Sequence, residues 1–132
     1  MGTFIYPLYK TALLDAAADT SLDQDNTTDG VYCALVGSYV YNASHAFYTD
    51  LSDIVNTDQR ITTPTVSNGT FDGDDLSYPS VTGSNITALV LYRHNSGSNT
   101  TWRLVAYIGI ATVVPNGGEI DITWNINGIF TL

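Results

Sequence analysis

Few side chains in this sequence could carry chemistry, and their spacing decides what chemistry that would be. There are two histidines, one cysteine, twelve aspartates and a single glutamate, Glu119. His45 precedes Asp50 and Asp53, either of which could accept its ring N–H, the first half of a relay that activates a nucleophile. No nucleophile-elbow signature surrounds it, nor His94, which ends an apolar run beside Asn95-Ser96-Gly97. A structural or surface role is expected for both. Cys33 lies within Val31-Tyr32-Cys33-Ala34-Leu35-Val36 and reads as a small buried hydrophobe. Being alone, it forms no intrachain disulfide.

Two histidines and one cysteine, far apart, give no transition-metal spacing. Asp23, Asp25 and Asp29 run D-x-D-x-x-x-D-G, like the start of a calcium loop. Position six is Thr28 instead of glycine and position twelve is Ala34 instead of glutamate, so a calcium loop is not expected. Asp72-Gly73-Asp74-Asp75 is tighter: three carboxylates this close repel unless water or a cation separates them. A solvated turn is the expectation, with a cation as the alternative. Glu119 and Asp121 share the outward face of an alternating strand, not the two walls of a hydrolytic cleft. Asn116-Gly117-Gly118 lacks the Lys-Ser/Thr of a phosphate loop and reads as a turn. No cofactor and no metal are expected, and no enzyme; a hydrolase using Asp72, Asp74, Asp75 and His45 is the remote alternative.

The elements that must position these groups are mostly strands. Asp outnumbers Glu twelve to one, and Asp prefers turns and caps where Glu prefers helix. Thr, Val, Ile and Tyr are abundant, as in strands. Pro7 suits a first helical turn, and Leu8, Tyr9, Ala12, Leu13, Ala16 and Ala17 then fall on one helical stripe, predicting a helix that ends at Ala18. Residues 19–30 form a polar linker closing at Asp29-Gly30. A strand is expected over 31–36, then a long loop over 37–60. Further strands are expected near 61–67, 76–81, 86–94, 102–110, 119–125 and 128–132, separated by Asn68-Gly69, Asp72-Gly73, Gly83-Ser84, Asn95-Ser96-Gly97 and Asn116-Gly117-Gly118. Residues 88–92 and 104–108 are apolar on both faces and must be covered on both sides, by the helix, the loop or a neighbouring subunit. The fold expected is all-β: an antiparallel β-sandwich, jelly-roll-like, with one short N-terminal α-helix. The domain division expected is a single unit over 1–132, with arm, helix and linker in 1–30 and the sandwich in 31–132.

The 132 residues are 44% hydrophobic and only 13% charged, with a formal charge of −9. That balance makes nucleic acid and anionic membrane surfaces poor partners, because four cations cannot neutralise a phosphate track. No stretch approaches the ~20 apolar residues of a membrane span, and the N-terminus lacks the features of a signal peptide. Asn-x-Ser/Thr triplets at Asn26, Asn42, Asn68, Asn85 and Asn99 are expected to reflect a sequence rich in these residues.

Tyrosine and tryptophan give large contact areas at low entropy cost. The loop aromatics Tyr39, Tyr41, Phe47 and Tyr48, with His45, are therefore candidates for partner contact. Phe4, Ile5 and Tyr6 are candidates as an N-terminal arm.

The C-terminal third carries a resemblance: Ala88-Leu89-Val90-Leu91-Tyr92-Arg93, Arg103-Leu104-Val105-Ala106-Tyr107-Ile108, Pro115 through Trp124, and the terminal Ile129-Phe130-Thr131-Leu132. It resembles small structural proteins of tailed bacteriophages, of the head cement or decoration type. The helix, Ala34-Leu35-Val36, His45-Ala46-Phe47, Leu51-Ser52-Asp53-Ile54 and residues 68–75 are similar more loosely. Gly109 stands where those proteins usually have an acid, and Gly128 where they often have Lys. The resemblance implies a non-enzymatic subunit on the capsid exterior of a virion. It would bind the major capsid protein at subunit junctions and self-associate as a homo-oligomer, a trimer before a dimer. The alternative is a tail- or fibre-associated module that binds a host or a glycan.

Overall fold

The structure, a computed structural model, describes residues 2–24 and 28–132. Asp25 of the acidic run and Asn26 of the first glycosylation triplet lie outside the described residues. The chain runs β1 (Thr3–Ile5), α1 (Pro7–Leu14), β2 (Gly30–Val36), β3 (Ile54–Arg60), β4 (Thr65–Ser67), β5 (Thr70–Asp72), β6 (Leu76–Tyr78), β7 (Ile86–His94), β8 (Arg103–Val113), β9 (Ile120–Ile122) and β10 (Phe130–Thr131). The main sheet has the order β1-β8-β7-β2-β3; β10-β5-β4 and β6-β9 form two smaller sheets, and every pairing is antiparallel. This is the all-β, sandwich-like architecture with one short helix that composition predicted.

The strands apolar on both faces lie where that pattern demands. β7 and β8 are both interior to the main sheet; nearly every residue of β7 is buried, whereas β8 is buried over Leu104, Val105 and Ala106 and half-buried at Tyr107 and Ile108. One side packs on the small sheets through Ile61, Phe71, Tyr78 and Val81, within a single connected core. Tyr78 on β6 donates its hydroxyl to the Cys33 carbonyl of β2 at 2.6 Å, tying one layer to the other. The other side is covered by the aromatic loop after β2. Cys33 itself is fully buried, and desolvation pushes its thiol up to about 12. A colorimetric disulfide reagent should therefore find no reactive thiol in the native protein and one per chain in denaturant; native labelling within minutes would contradict this placement.

Helix α1 is shorter than the stripe predicts and stops at Leu14. Only Tyr9 and Ala12 of the stripe are buried, and Leu8 is exposed. The cause is a Schellman ending: Ala16 N–H bonds the Leu13 carbonyl and Ala17 N–H the Ala12 carbonyl, both near 3 Å, with Ala16 at φ 52°. Glycine is the usual residue there, and its absence hid the stop. Ala16→Gly should relieve left-handed strain of about 1 kcal/mol and raise the melting temperature by a few degrees. A fall on substitution would show that the strain is not there.

The loop expected over 37–60 ends at residue 53, because Ile54–Arg60 is strand β3. Among the described residues it pairs only with β2, so it is an edge, and Asn56, Thr57, Asp58, Gln59 and Arg60 show no alternating apolar signal. Thr70-Phe71-Asp72, expected as the space between two turns, is strand β5. Its hairpin with β4 turns on Asn68 (φ 52°) and Gly69 (φ 78°), the paired left-handed conformations of a type I′ turn.

The segment 15–24, after α1, is held without regular structure. Its carbonyls receive side-chain donors instead: Tyr9 Oη to Thr20 at 2.6 Å, Arg93 Nε to Ser21 at 2.6 Å, and Arg103 Nε to Ala18 at 3.4 Å. Arg93 and Arg103 are direct cross-strand partners on β7 and β8. Two of the four cations thus sit side by side under this segment.

Candidate functional site

The candidate partner residues divide sharply by burial. Tyr6 and Tyr39 are buried, so neither offers a contact surface. They are core members because their hydroxyls find partners: Tyr6 Oη lies 2.9 Å from Tyr39 Oη, which lies 2.7 Å from His45 Nδ1. Burial, then the Tyr39 contact, pushes the Tyr6 hydroxyl far above the usual tyrosine value. His45 therefore faces Tyr39. Asp50 is turned to the backbone N–H groups of Ala46 and Phe47, which hold its carboxyl below the usual range. Asp53 accepts from Ser38 N–H at 2.7 Å and from the Ser84 hydroxyl at 3.0 Å, joining two loops. The His-Asp relay considered from spacing is a set of loop braces.

Tyr41, Phe47 and Tyr48 are half-buried and point across the main sheet. Tyr41 stacks on Phe4 at 4.8 Å. Arg103 lies over the Phe47 ring at 5.7 Å. Phe4 is 48% exposed and Ile5 half-buried, on opposite faces of β1, whose outer edge carries no partner strand among the described residues. Val40, 76% exposed, lines a groove with Phe4 on one face of β1, and Leu14, 89% exposed, lines another with Ile5, Lys10 and Leu132.

The acidic turn is resolved into separate caps. Asp74 Oδ2 accepts from Thr62 and Thr63 hydroxyls at 3.0 and 2.8 Å, Asp75 Oδ1 from Trp124 N–H at 2.9 Å, and Asp72 Oδ1 from Gly73 N–H at 2.9 Å. Among the described residues no three His, Cys, Asp or Glu side chains converge as a metal site. Glu119 and Asp121 both accept from the Ser77 hydroxyl of β6, which anchors the long-range pair β6-β9.

A grouping that spacing did not reveal lies on the outer face of the main sheet. Tyr32 on β2 and Tyr92 on β7 are opposite each other, and their rings stack at 5.7 Å. Tyr92 in turn lies 5.8 Å from Trp102, the planes 7° apart. Tyr48 meets both Tyr92 and Trp102 edge-on. Asp58 of β3 accepts the Tyr92 hydroxyl at 2.7 Å through Oδ2. These residues, with His94, line a cleft of about 320 Å³. A second, apolar cleft of about 220 Å³ lies between α1 and the β4-β5-β10 sheet, lined by Tyr9, Leu13, Leu22, Phe71 and Phe130. It holds almost nothing polar, so no chemistry is built there.

Burial dominates the Asp58 carboxyl and raises it above the usual value, against the opposing effect of hydroxyls from Tyr92 and Tyr48. Tyr48 is pushed up to about 12, first by burial and then by Asp58. Because the unfolded carboxyl ionises first as pH rises above about 4, Asp58 costs stability at neutral pH and nothing well below that value. Asp58→Asn keeps an acceptor for Tyr92, so it should melt higher than the parent at pH 7, with the gain fading at pH 3. An equal effect at both values would remove the electrostatic account.

No family model matches the chain, and no curated protein matches it.

Proposed function

We propose that the protein is a non-enzymatic adhesive subunit, a capsid cement or decoration protein that binds the outer surface of a major capsid shell at subunit junctions. The observation that carries the adhesive part is the β1 edge, unpaired among the described residues, with Phe4 and Val40 exposed on one side of it and Leu14 on the other. A sheet edge offers a row of free N–H and C=O groups, and proteins that do not use an edge normally blunt it. The opposite edge is blunted: β3 carries Asp58 and Arg60 and a left-handed Asn56 at φ 65°. β1 carries no charge. The virion assignment rests on the sequence resemblance, and repeated modest contacts on a lattice suit such an edge because they add by avidity.

Two measurements test this. Cryo-electron microscopy of purified virions should place the protein on the capsid exterior at symmetry axes, and native mass spectrometry should find an oligomer, a trimer before a dimer. Leu14→Asp with Val40→Asp, at the two most exposed side chains beside the β1 edge, should dissociate that oligomer while circular dichroism still shows a folded chain. Density confined to the tail would replace the capsid reading with the tail or fibre one. A chain that stays monomeric at every concentration would remove the self-association.

A further inference from the structure

The cleft on the outer face of the main sheet has a chemistry of its own. Its walls are the rings of Tyr32, Tyr48, Tyr92 and Trp102, and its polar groups are Asp58 and His94. Asn56 and Thr57, both exposed, stand at its mouth. Its size lies at the lower end of the range for small-ligand sites.

Two polar atoms at its base have unused hydrogen-bonding capacity. Asp58 Oδ1 makes no hydrogen bond of good geometry, although Oδ2 of the same carboxylate accepts from Tyr92 and the Tyr48 hydroxyl lies close by. His94 Nδ1 stands 3.3 Å from Asp29 Oδ1 without making an aligned hydrogen bond. Shielded polar atoms without partners are costly, and proteins retain few of them. A ligand bringing O–H groups would satisfy them.

We propose that this cleft binds a neutral carbohydrate, one pyranose ring lying on the aromatic wall with its hydroxyls directed to Asp58, His94 and the polar mouth. Three features select that class. The rings of Tyr32, Tyr92 and Trp102 lie against one another with planes within 21° and 7°, 5.7 and 5.8 Å apart. The stack buries Tyr92, and the half-exposed Tyr32 and Trp102 at its two ends present ring surface to the C–H groups of a sugar, whereas a quaternary ammonium cage needs rings facing each other across a gap. Asp29 and Asp58 flank the cleft and the chain carries −9 overall, which disfavours phosphate, sulfate and acidic sugars. The lining mixes hydroxyl, imidazole, amide and carboxylate, as a polyhydroxyl ligand requires and a purely apolar one does not. The proposal does not depend on where in a virion the protein sits.

The test is a titration of the full chain with maltotriose, cellotriose, chitotriose and lactose, read by isothermal calorimetry and by Trp102 fluorescence in a Trp124→Phe background. Tetramethylammonium and a sulfated disaccharide serve as controls. At least one neutral probe should saturate with a dissociation constant near or below about 1 mM, and both controls should not. Tyr32→Ala, which trims a half-exposed wall, should weaken that binding roughly tenfold. Asp58→Asn should weaken it while the protein melts no lower, separating recognition from folding. No saturable response to any neutral probe up to about 20 mM overturns the proposal, as does binding that Tyr32→Ala leaves unchanged. Tighter binding of tetramethylammonium than of every sugar would make the cleft a cation site instead.

Discussion

Arg93→Ala is expected to lower stability by about 3 kcal/mol, a drop of roughly 10 °C in melting temperature. Arg93 is only 4% exposed although it carries a full charge. Its guanidinium donates to the carbonyls of Ser21 and His94, and so fastens the irregular segment after α1 to the end of β7. Hydrogen bonds from a charged donor are each worth about 1.5–3 kcal/mol, and truncation also strands the carbonyls they satisfied. Arg93→Lys should fall between the two, because an ammonium keeps the charge but not the planar fork that reaches two carbonyls. Circular dichroism melts measure the loss. Proteolysis should also become faster after α1, near Ser21 and Leu22, before the β core is cut. A change under about 1 kcal/mol would mean that the segment is held by other contacts.

The second large effect is an asymmetry between two substitutions that each remove one hydroxyl. The order that leaves no buried proton without an acceptor runs from Tyr6 through Tyr39 to His45. Tyr6→Phe removes the first donor and leaves Tyr39 bonded to His45, which should cost about 1 kcal/mol. Tyr39→Phe removes the middle member. It strands the fully buried Tyr6 hydroxyl and the His45 Nδ1, which should cost about 2–3 kcal/mol. The double variant should cost less than the sum, since the stranded Tyr6 hydroxyl is then gone. Urea unfolding of the three proteins measures these values. Equal single losses that add would mean that the three groups do not act as a chain.

What was legible in the sequence was what local chemistry controls. The runs 31–36 and 86–94 became β2 and β7 with almost the same limits, because strands covered on both faces must be apolar throughout. Asn68-Gly69 became a tight hairpin because few other pairs accept two left-handed residues in succession. Edge strand β3 was missed because its pairing is backbone-driven and its side chains are largely polar. The Ala16 stop was missed because alanine does not advertise a positive φ.

The loop aromatics were read as outward contacts, yet Tyr39 completes the core and Tyr48 packs on Tyr92 and Trp102. The strand covered by that loop had left three sources of cover open, and only tertiary packing chose among them. The aromatic cleft lay further out of reach. It depends on Tyr32 and Tyr92 being directly opposite, and register is a property of strand pairing that no single segment encodes.

One pairing has a consequence for the order of events during translation. Among the described residues β1 bonds only to β8, so this strand leaves the ribosome long before its partner and cannot dock until residues 103–108 have followed it. β5 waits similarly for β10. A nascent chain halted before residue 103 therefore displays Phe4 and Ile5 with nowhere to go, and apolar strands in that condition attract chaperones or one another. Early termination in this gene should yield insoluble fragments, not smaller folded ones.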